Sequence, residues 1–245
     1  MKVTEEIPGS TGHNTLDVIG KADKFNLWMY SAIKPFCSGS ILEIGSGIGN
    51  ISKYFLSDGA NIFLSDIDEK YCDLLKNQFS AFPNLKGITK IDLASDHFDK
   101  DYPHLFNKFD TVFALNVLEH IQDDRSALKN ASKFLKKGGR LIILVPASQS
   151  LYCRFDKELG HYRRYTRHTL RKAIKESGFS IKNLFNFNLV GIAGWFIFGK
   201  LSKRKQIEQT EMRIFNGLVP FFKFFDFITF RKIGLSLIII ATKPE

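Results

Sequence analysis

Seven short apolar runs alternate along the chain with helix-like stretches, and this alternation restricts the fold more than any other feature. The runs cover residues 40–44, 61–65, 87–91, 110–115, 140–145, 181–188 and 235–242. Between most of them lie stretches with helical patterning, at 50–57, 69–79, 123–135 and 167–177. Gly59 and Gly178 stand just past two of these, and Gly138 with Gly139 past a third, where a C-cap glycine belongs. Thr166 precedes the fourth and suits an N-cap. Strands alternating with helices of this length predict βαβ units and a mostly parallel sheet, covered on both faces, with right-handed connections.

Two regions break the alternation. Residues 1–39 precede the first run and contain the bulky stretch FNLWMY, so they read as an N-terminal helical arm or lid. Residues 189–233 are too long for an ordinary crossover. Half of the 24 phenylalanines fall between Phe179 and Phe230, which predicts a helical, Phe-rich, basic insertion. With 245 residues, 44% of them hydrophobic, and no internal repeat, the expectation is a single domain over 1–245.

Charge is placed unevenly. Residues 151–245 hold 18 Lys/Arg against 7 Asp/Glu, whereas residues 1–150 hold 17 against 18. An anionic partner for the C-terminal part is one reading, and a solvated basic face is the other. The start MKVTEEIPGS is polar and acidic, so no secretory leader is expected, and no run approaches the ~18 apolar residues of a membrane span. Cys37, Cys72 and Cys153 are odd in number and lack metal-ligand spacing. They predict reduced thiols in a cytoplasmic protein, with no disulfide and no metal.

The first apolar run continues as ILEIGSGIGN, residues 41–50. A dinucleotide fingerprint would be G-x-G-x-x-G, cradling a pyrophosphate at a helix start. Here the third glycine comes one residue early, and Asn50 stands where it should be. Glu43, two residues before Gly45, would also repel a phosphate. A carboxylate there suits a ligand that is cationic at that point, met directly or through water, while the glycines let the backbone approach closely. The stretch resembles motif I of the class I S-adenosylmethionine (SAM)-dependent methyltransferases, matched by Glu43, Gly45, Gly47 and Gly49.

Further motifs follow in the family's order over residues 38–147. Asp66, 21 residues after Gly45, ends the second run and can accept both ribose hydroxyls, with Ile67 beside it. Asp92 and Leu93 resemble the position where an acid meets the adenine amino group and its neighbour packs on the ring. FDTVFALNVLEHI resembles motif IV, with Asn116 at the strand's end and Glu119-His120 after it. LKKGGRLIILVPA resembles the helix-turn-strand of motif VI. The resemblance implies a doubly wound α/β fold, a seven-stranded sheet of order 3-2-1-4-5-7-6 with the last strand antiparallel, and SAM as cofactor with S-adenosylhomocysteine as product. The acceptor then stands outside the carboxyl ends of the strands.

Methyl transfer is an in-line displacement, so the protein must align the nucleophile, exclude water and, where needed, remove a proton. The loop PASQSLYCRFDKELGHYRRYTRHT is polar, aromatic and basic together. His161 is the first candidate base. Tyr162 joins it as a catalytic candidate, and Tyr162 and Tyr165 can wall or hydrogen-bond the substrate. Arg163 and Arg164 can clamp a carboxylate or phosphate. The competing reading has this cluster only stitching the loop to the sheet edge. His120 has a rival claim as base, against a reading in which it packs at the start of the next helix. His13 suits a lid. Trp28 and Tyr30 are spaced to cover the cofactor, or, for Trp28 above all, to pack in the core.

In the insertion, Phe221, Phe222, Phe224 and Phe225 crowd one helix and cannot all face one core. Basic residues 202–205 and 231–232 flank the apolar segments. Three readings stand open: a peripheral contact at the inner face of the membrane, a cap over an apolar substrate pocket, or a homodimer interface. The function expected is a methyltransferase acting, most plausibly at oxygen, on a small-molecule or lipid-linked acceptor that is apolar and partly anionic. An RNA methyltransferase and a non-catalytic SAM-binding scaffold are the alternatives. No DNA partner is expected.

Overall fold

The computed structural model describes residues 16–197 and 209–245. His13 and the basic run at 202–205 lie outside the described residues. Helix α1 (Asp23–Ile33) precedes β1 (Ile41–Ile44), α2 (Ser52–Ser57), β2 (Ile62–Asp66), α3 (Glu69–Phe79) and β3 (Leu85–Lys90). Then come β4 (Phe109–Leu115), α4 (Asp124–Phe134), β5 (Leu135–Pro146), α5 (Arg167–Glu176) and β6 (Ser180–Phe187). A short helix (Gly191–Trp195) and the long α6 (Gln209–Ile228) lead to β7 (Ser236–Thr242). The strands form one sheet in the order β3-β2-β1-β4-β5-β7-β6, as the resemblance implies. Strands β1 to β5 pair in parallel, and β7 runs antiparallel to both β5 and β6.

Successive strand residues point to opposite faces, so each face has its own core. Leu42, Val112, Leu141, Ile143 and Ile239 pack with Leu128 and Phe134 of α4 and Leu170 of α5. Ile41, Phe113, Ile142, Ile238 and Ile240 face the other way. They pack with Trp28 of α1, Phe55 of α2, Leu75 of α3, and Val219 and Phe222 of α6. Thr166 caps α5 as expected, and the Asp68 and Asp123 side chains likewise accept backbone N–H groups at the starts of α3 and α4. Gly59 and Gly178 adopt φ of 76° and 88° past α2 and α5.

Trp28 and Tyr30 belong to the core and do not cover the cofactor loop. The Trp28 ring lies 4.4 Å from Phe187, and Tyr30 packs on Tyr54 and Phe55 with its hydroxyl on Asp58. Helix α6 packs beside α1, where Asn216 Oδ1 accepts from Phe25 N at 3.0 Å and the rings of Phe25 and Phe215 meet at 5.4 Å. Its buried face is Met212, Val219, Phe222 and Asp226. Ile214, Leu218, Phe221, Phe225 and Ile228 recur at i, i+4, i+7, i+11 and i+14 and form a second, exposed apolar stripe. Of the four crowded phenylalanines, only Phe222 turns inward.

The two faces of α6 therefore differ in what they contribute. Replacing Phe222 by Ala is expected to cost about 3–5 kcal/mol in urea unfolding. Replacing Phe221 by Ala is expected to stay within about 0.5 kcal/mol of wild type. Equal losses would mean that α6 docks by a different face.

Candidate active site at the carboxyl ends of the strands

The strand order reverses at β1, where β2 lies on one side and β4 on the other, and the glycine loop emerges there. Gly45, Gly47 and Gly49 have φ of 74°, 53° and 81°, the left-handed region that side chains with a Cβ avoid. Two of them also lack room. A Cβ on Gly45 would strike Val117 at 2.4 Å, and one on Gly49 would strike Phe79 at 2.4 Å. Residues 16–20 are helical and rest on this loop, with Leu16 3.7 Å from the Cβ position of Gly47.

Two carboxylates brace the loop from beneath. Asp66 Oδ2 accepts from Gly47 N at 2.8 Å, and Oδ1 accepts from Asp68 N at 3.0 Å. Burial raises the Asp66 pKa against these backbone bonds. Glu43 is buried, and its Oε2 accepts from Ser52 Oγ at 2.5 Å. Burial pushes Glu43 up to about 8, although Ser52 and Ser46 oppose the shift. Glu43 thus acts under the loop, and the direct half of the expectation, a carboxylate in the open cleft, is corrected.

The other cofactor candidates divide. Ile67 is 58% exposed beside Asp66. Asp92 is half-buried and accepts from Ala94 N at 2.8 Å. Leu93 is buried in the core with Ile44, Val112 and Leu128, so its side chain does not lie on an open ring site. Asn116 is exposed at the end of β4 with φ of 55°, a conformation that asparagine tolerates better than most residues.

After β5 the chain folds back under itself, and a buried carboxylate organises it. Asp156, fully buried, accepts from Cys153 N through Oδ2 and from Arg164 Nε at 2.8 Å through Oδ1. The same Oδ1 lies 3.0 Å from His161 Nδ1. Burial would raise the Asp156 pKa, but the His161 hydrogen bond and the Arg164 charge prevail and lower it. An ionised acceptor there places the His161 proton on Nδ1 and leaves Nε2 as a lone-pair donor. Nε2 lies 4.0 Å from Glu119 Oε1. The ring of His120 stands at 84° to that of His161, with centroids 4.6 Å apart. His120 is exposed overall, yet its ring is crowded. Lost hydration, with His161 beside it, pushes its pKa down to about 4.

The expected substrate clamp is corrected on all three of its members. Arg164 is 3% exposed, donates to Asp156 and Ala147 O, and stacks over Trp195 at 4.1 Å, which leaves no fork for an anion. Arg163 bridges to Asp124 Oδ2 at 3.1 Å and donates to Gln122 O. Tyr165 is buried, and its hydroxyl donates to Asp124 at 2.9 Å. Arg163 and Tyr165 stitch the loop to the start of α4, and Arg164 ties it to Asp156 and the end of β5. Tyr162 remains 55% exposed, while its N–H donates to Glu119 O and ties the loop to the turn after β4. The structure therefore brings His120, His161 and Tyr162 together. Asp156 and Trp195 are the members that sequence reasoning missed. The only signal for Asp156 is a carboxylate five residues before the histidine, across Gly160 with φ of 78°.

Comparison with known proteins points the same way. Residues 42–141 match the family model of a methyltransferase domain. The ubiquinone biosynthesis O-methyltransferase of Pelagibacter ubique is 32% identical over 115 residues, 46% of this chain and 44% of that protein. A hybrid PKS-NRPS synthetase of Penicillium citrinum is 34% identical over 108 residues, 42% of this chain and 3% of that protein. The chain thus spans less than half the length of these curated relatives. Among solved structures, phosphoethanolamine N-methyltransferase 2 of Haemonchus contortus, in complex with S-adenosyl-L-methionine, shares the fold with a TM-score of 0.62. It is 18% identical, over 97% of this chain and 59% of that one.

The state of Glu43 is open to measurement. Its folded pKa of about 8 lies above its ordinary 4.5, so between those values the folded chain keeps a proton that the unfolded chain has released. The stability this proton contributes is complete below pH 4.5 and is lost as pH rises through 8. Glu43→Gln has no charge to bury and lacks this dependence. Between pH 6 and 8.5 the variant is expected to gain about 1–2 kcal/mol on wild type in urea unfolding. A pH-independent difference would mean that Glu43 is ionised throughout.

Proposed function

We propose that this chain, which carries a class I SAM-dependent methyltransferase domain over the residues that match that family, methylates an oxygen of an apolar, lipid-linked acceptor. The observation that carries the reading is the left-handed glycine loop braced by Asp66 beneath an opening where the strand order reverses. The residues fit the cofactor. The glycines lay bare a backbone cradle that a Cβ would fill at Gly45 and Gly49. Asp66, with one backbone donor on each oxygen, keeps lone pairs for ribose hydroxyls. Ile67 and Asp92 border the place for the adenine, and Asn116 borders the reacting end. Glu43, buried beneath the loop and protonated up to about pH 8, accepts from Ser52 and supports the start of α2 rather than supplying a charge.

When bound, SAM supplies a methyl group on a positively charged sulfur, already activated to leave. The chain's own residues do the rest. Residues 16–20 cover the glycine loop and exclude water. His161, its tautomer held by Asp156, takes the acceptor's hydroxyl proton on Nε2 as the oxygen attacks. Tyr162 and His120 line the approach.

The exposed face of α6 supports the acceptor class. Its exposed stripe, with Phe224, Phe227 and Phe230 beside it at 59%, 74% and 79% exposure, carries Lys223 and Lys232 at its margins. Phenyl rings flanked by ammonium groups suit the boundary between acyl chains and anionic headgroups. Among the described residues no helix is long and apolar enough to cross a membrane. The aromatic face with its lysines supports a cytoplasmic protein that is peripheral at the inner membrane face. RNA is the second reading, carried by the excess of 18 basic over 7 acidic residues after residue 150.

Two measurements test this. Calorimetric titration with S-adenosylhomocysteine is expected to show saturable binding, weakened at least tenfold in Asp66→Ala, while NADH gives none. Failure of the wild type to bind, or tighter binding of NADH, would overturn the cofactor assignment. In flotation assays the protein is expected to rise with vesicles containing phosphatidylglycerol, and Phe221→Ser with Phe224→Ser to stay behind. Salt-sensitive RNA binding without vesicle binding would favour the second reading.

A further inference from the structure

We propose that Glu119, His120 and His161 hold a divalent transition-metal ion at the carboxyl end of β4. Each offers one ligand atom, and the three atoms lie within 4.8 Å of one another. The sequence reading, which looked for cysteine spacing, expects no metal. Two of these ligands are adjacent in the chain, and the third comes from a loop 41 residues on. Only the fold brings them together.

The independent sign is Glu119. Its side chain is fully buried, and neither carboxyl oxygen has a hydrogen-bond partner among the described residues. Buried carboxyl oxygens are rarely left so, because desolvation is expensive unless a donor or a cation replaces the lost water. Oε1 faces His161 Nε2 at 4.0 Å. That nitrogen is a lone-pair donor, since Nδ1 is committed to Asp156. Two lone-pair donors facing each other across a gap need a proton or a cation between them.

The surroundings are arranged as a metal site requires. A ligating imidazole commonly gives its other N–H to a carboxylate, which fixes its tautomer and aims it. Asp156 does this for His161 and is itself held by Arg164 and Cys153 N. Glu119 is held through its backbone, where O accepts from Tyr162 N at 2.9 Å. His120 meets His161 nearly at right angles, so the rings do not stack across the donor nitrogens. Metal–ligand distances near 2.0–2.2 Å place tetrahedral ligands about 3.4 Å apart. Side-chain rotations drawing the three atoms inward by about 1 Å would reach that geometry.

Two imidazoles and one carboxylate suit Zn²⁺, Mn²⁺, Fe²⁺ or Co²⁺ better than Mg²⁺ or Ca²⁺, which favour all-oxygen sets. Three protein ligands leave a tetrahedral ion one further coordination position. With His161 Nε2 taken up as a ligand, the ion would acidify a bound acceptor hydroxyl in place of the imidazole, which acts as base only in the metal-free protein. That role rests on the methyl-transfer reading, but the metal site does not.

The test uses tag-free, full-length protein stripped with EDTA and titrated with Co²⁺, then with Zn²⁺ in competition. A 1:1 visible d–d spectrum that Zn²⁺ abolishes is expected. Glu119→Gln and His161→Ala are expected to weaken Co²⁺ binding at least tenfold while S-adenosylhomocysteine binding is retained. His120→Ala, at an exposed position, provides the same readout should a buried variant fail to fold. No saturable uptake by wild type, or uptake unchanged in Glu119→Gln and His120→Ala, would overturn the proposal. Homocysteine-nucleoside binding without metal uptake would sink the metal site alone, and metal uptake without nucleoside binding would sink the methyltransferase reading alone.

Discussion

The reversal of strand order at β1 is the constraint on which the rest of this molecule depends. Connections leaving β1 and β4 pass to opposite sides, so the loops at their carboxyl ends part and leave an opening. Below it both faces of the sheet are apolar and covered by helices, and polar chemistry has nowhere else to gather. The glycine loop, Asp66, Asn116, Glu119 and the return loop after β5 all meet at this rim. The loop that carries His161 reaches it because Tyr165 N and Ser148 N pair its two ends across a single bridge beside β5.

Buried carboxylates do much of the positioning, and each meets the cost of burial differently. Asp66 and Asp226 accept backbone N–H groups, which pin the glycine loop and the turn after β6. Asp124 takes the Tyr165 hydroxyl and the Arg163 guanidinium. Asp156 pairs with Arg164, whose guanidinium rests on Trp195 of the short helix after β6. That chain of contacts couples the insertion to the loop that carries His161. Glu43 and Glu119 have no paired cation, and burial pushes both up to about 8, for Glu119 against the pull of the Arg164 charge. They are the groups most open to what binds above them.

Helix α6 shows how composition can mislead about location. A run of phenylalanines suggests core, yet a helix presents residues three or four apart on one face only. Val219 and Phe222 satisfy the sheet, and Phe221, Phe224 and Phe225 are left outside by geometry. The exposed stripe is therefore a property of the sequence period meeting a single packed face.

The alternating layers and the glycine loop were legible because they depend on near neighbours, and the sheet order and the candidate cofactor acids came with the family resemblance that those motifs carry. Period-2 runs, cap residues and a glycine-rich turn act over a few residues, and the wound topology allows few arrangements of such units. The roles of Arg163, Arg164 and Tyr165 were not legible. A guanidinium or phenol reads the same in the chain whether it faces a ligand or a buried carboxylate, and only the fold put Asp124 and Asp156 beside them. The meeting of Glu119 and His120 with His161 was equally hidden, since it depends on how a loop 41 residues away returns over the end of β4. By itself the sequence determined the layers and the cradle, because local patterning and chain-connection rules suffice for these, and its motifs carried the strand order through the family resemblance. Tertiary structure alone decided which polar side chains remained free for chemistry, because that depends on which distant partner reaches each one first.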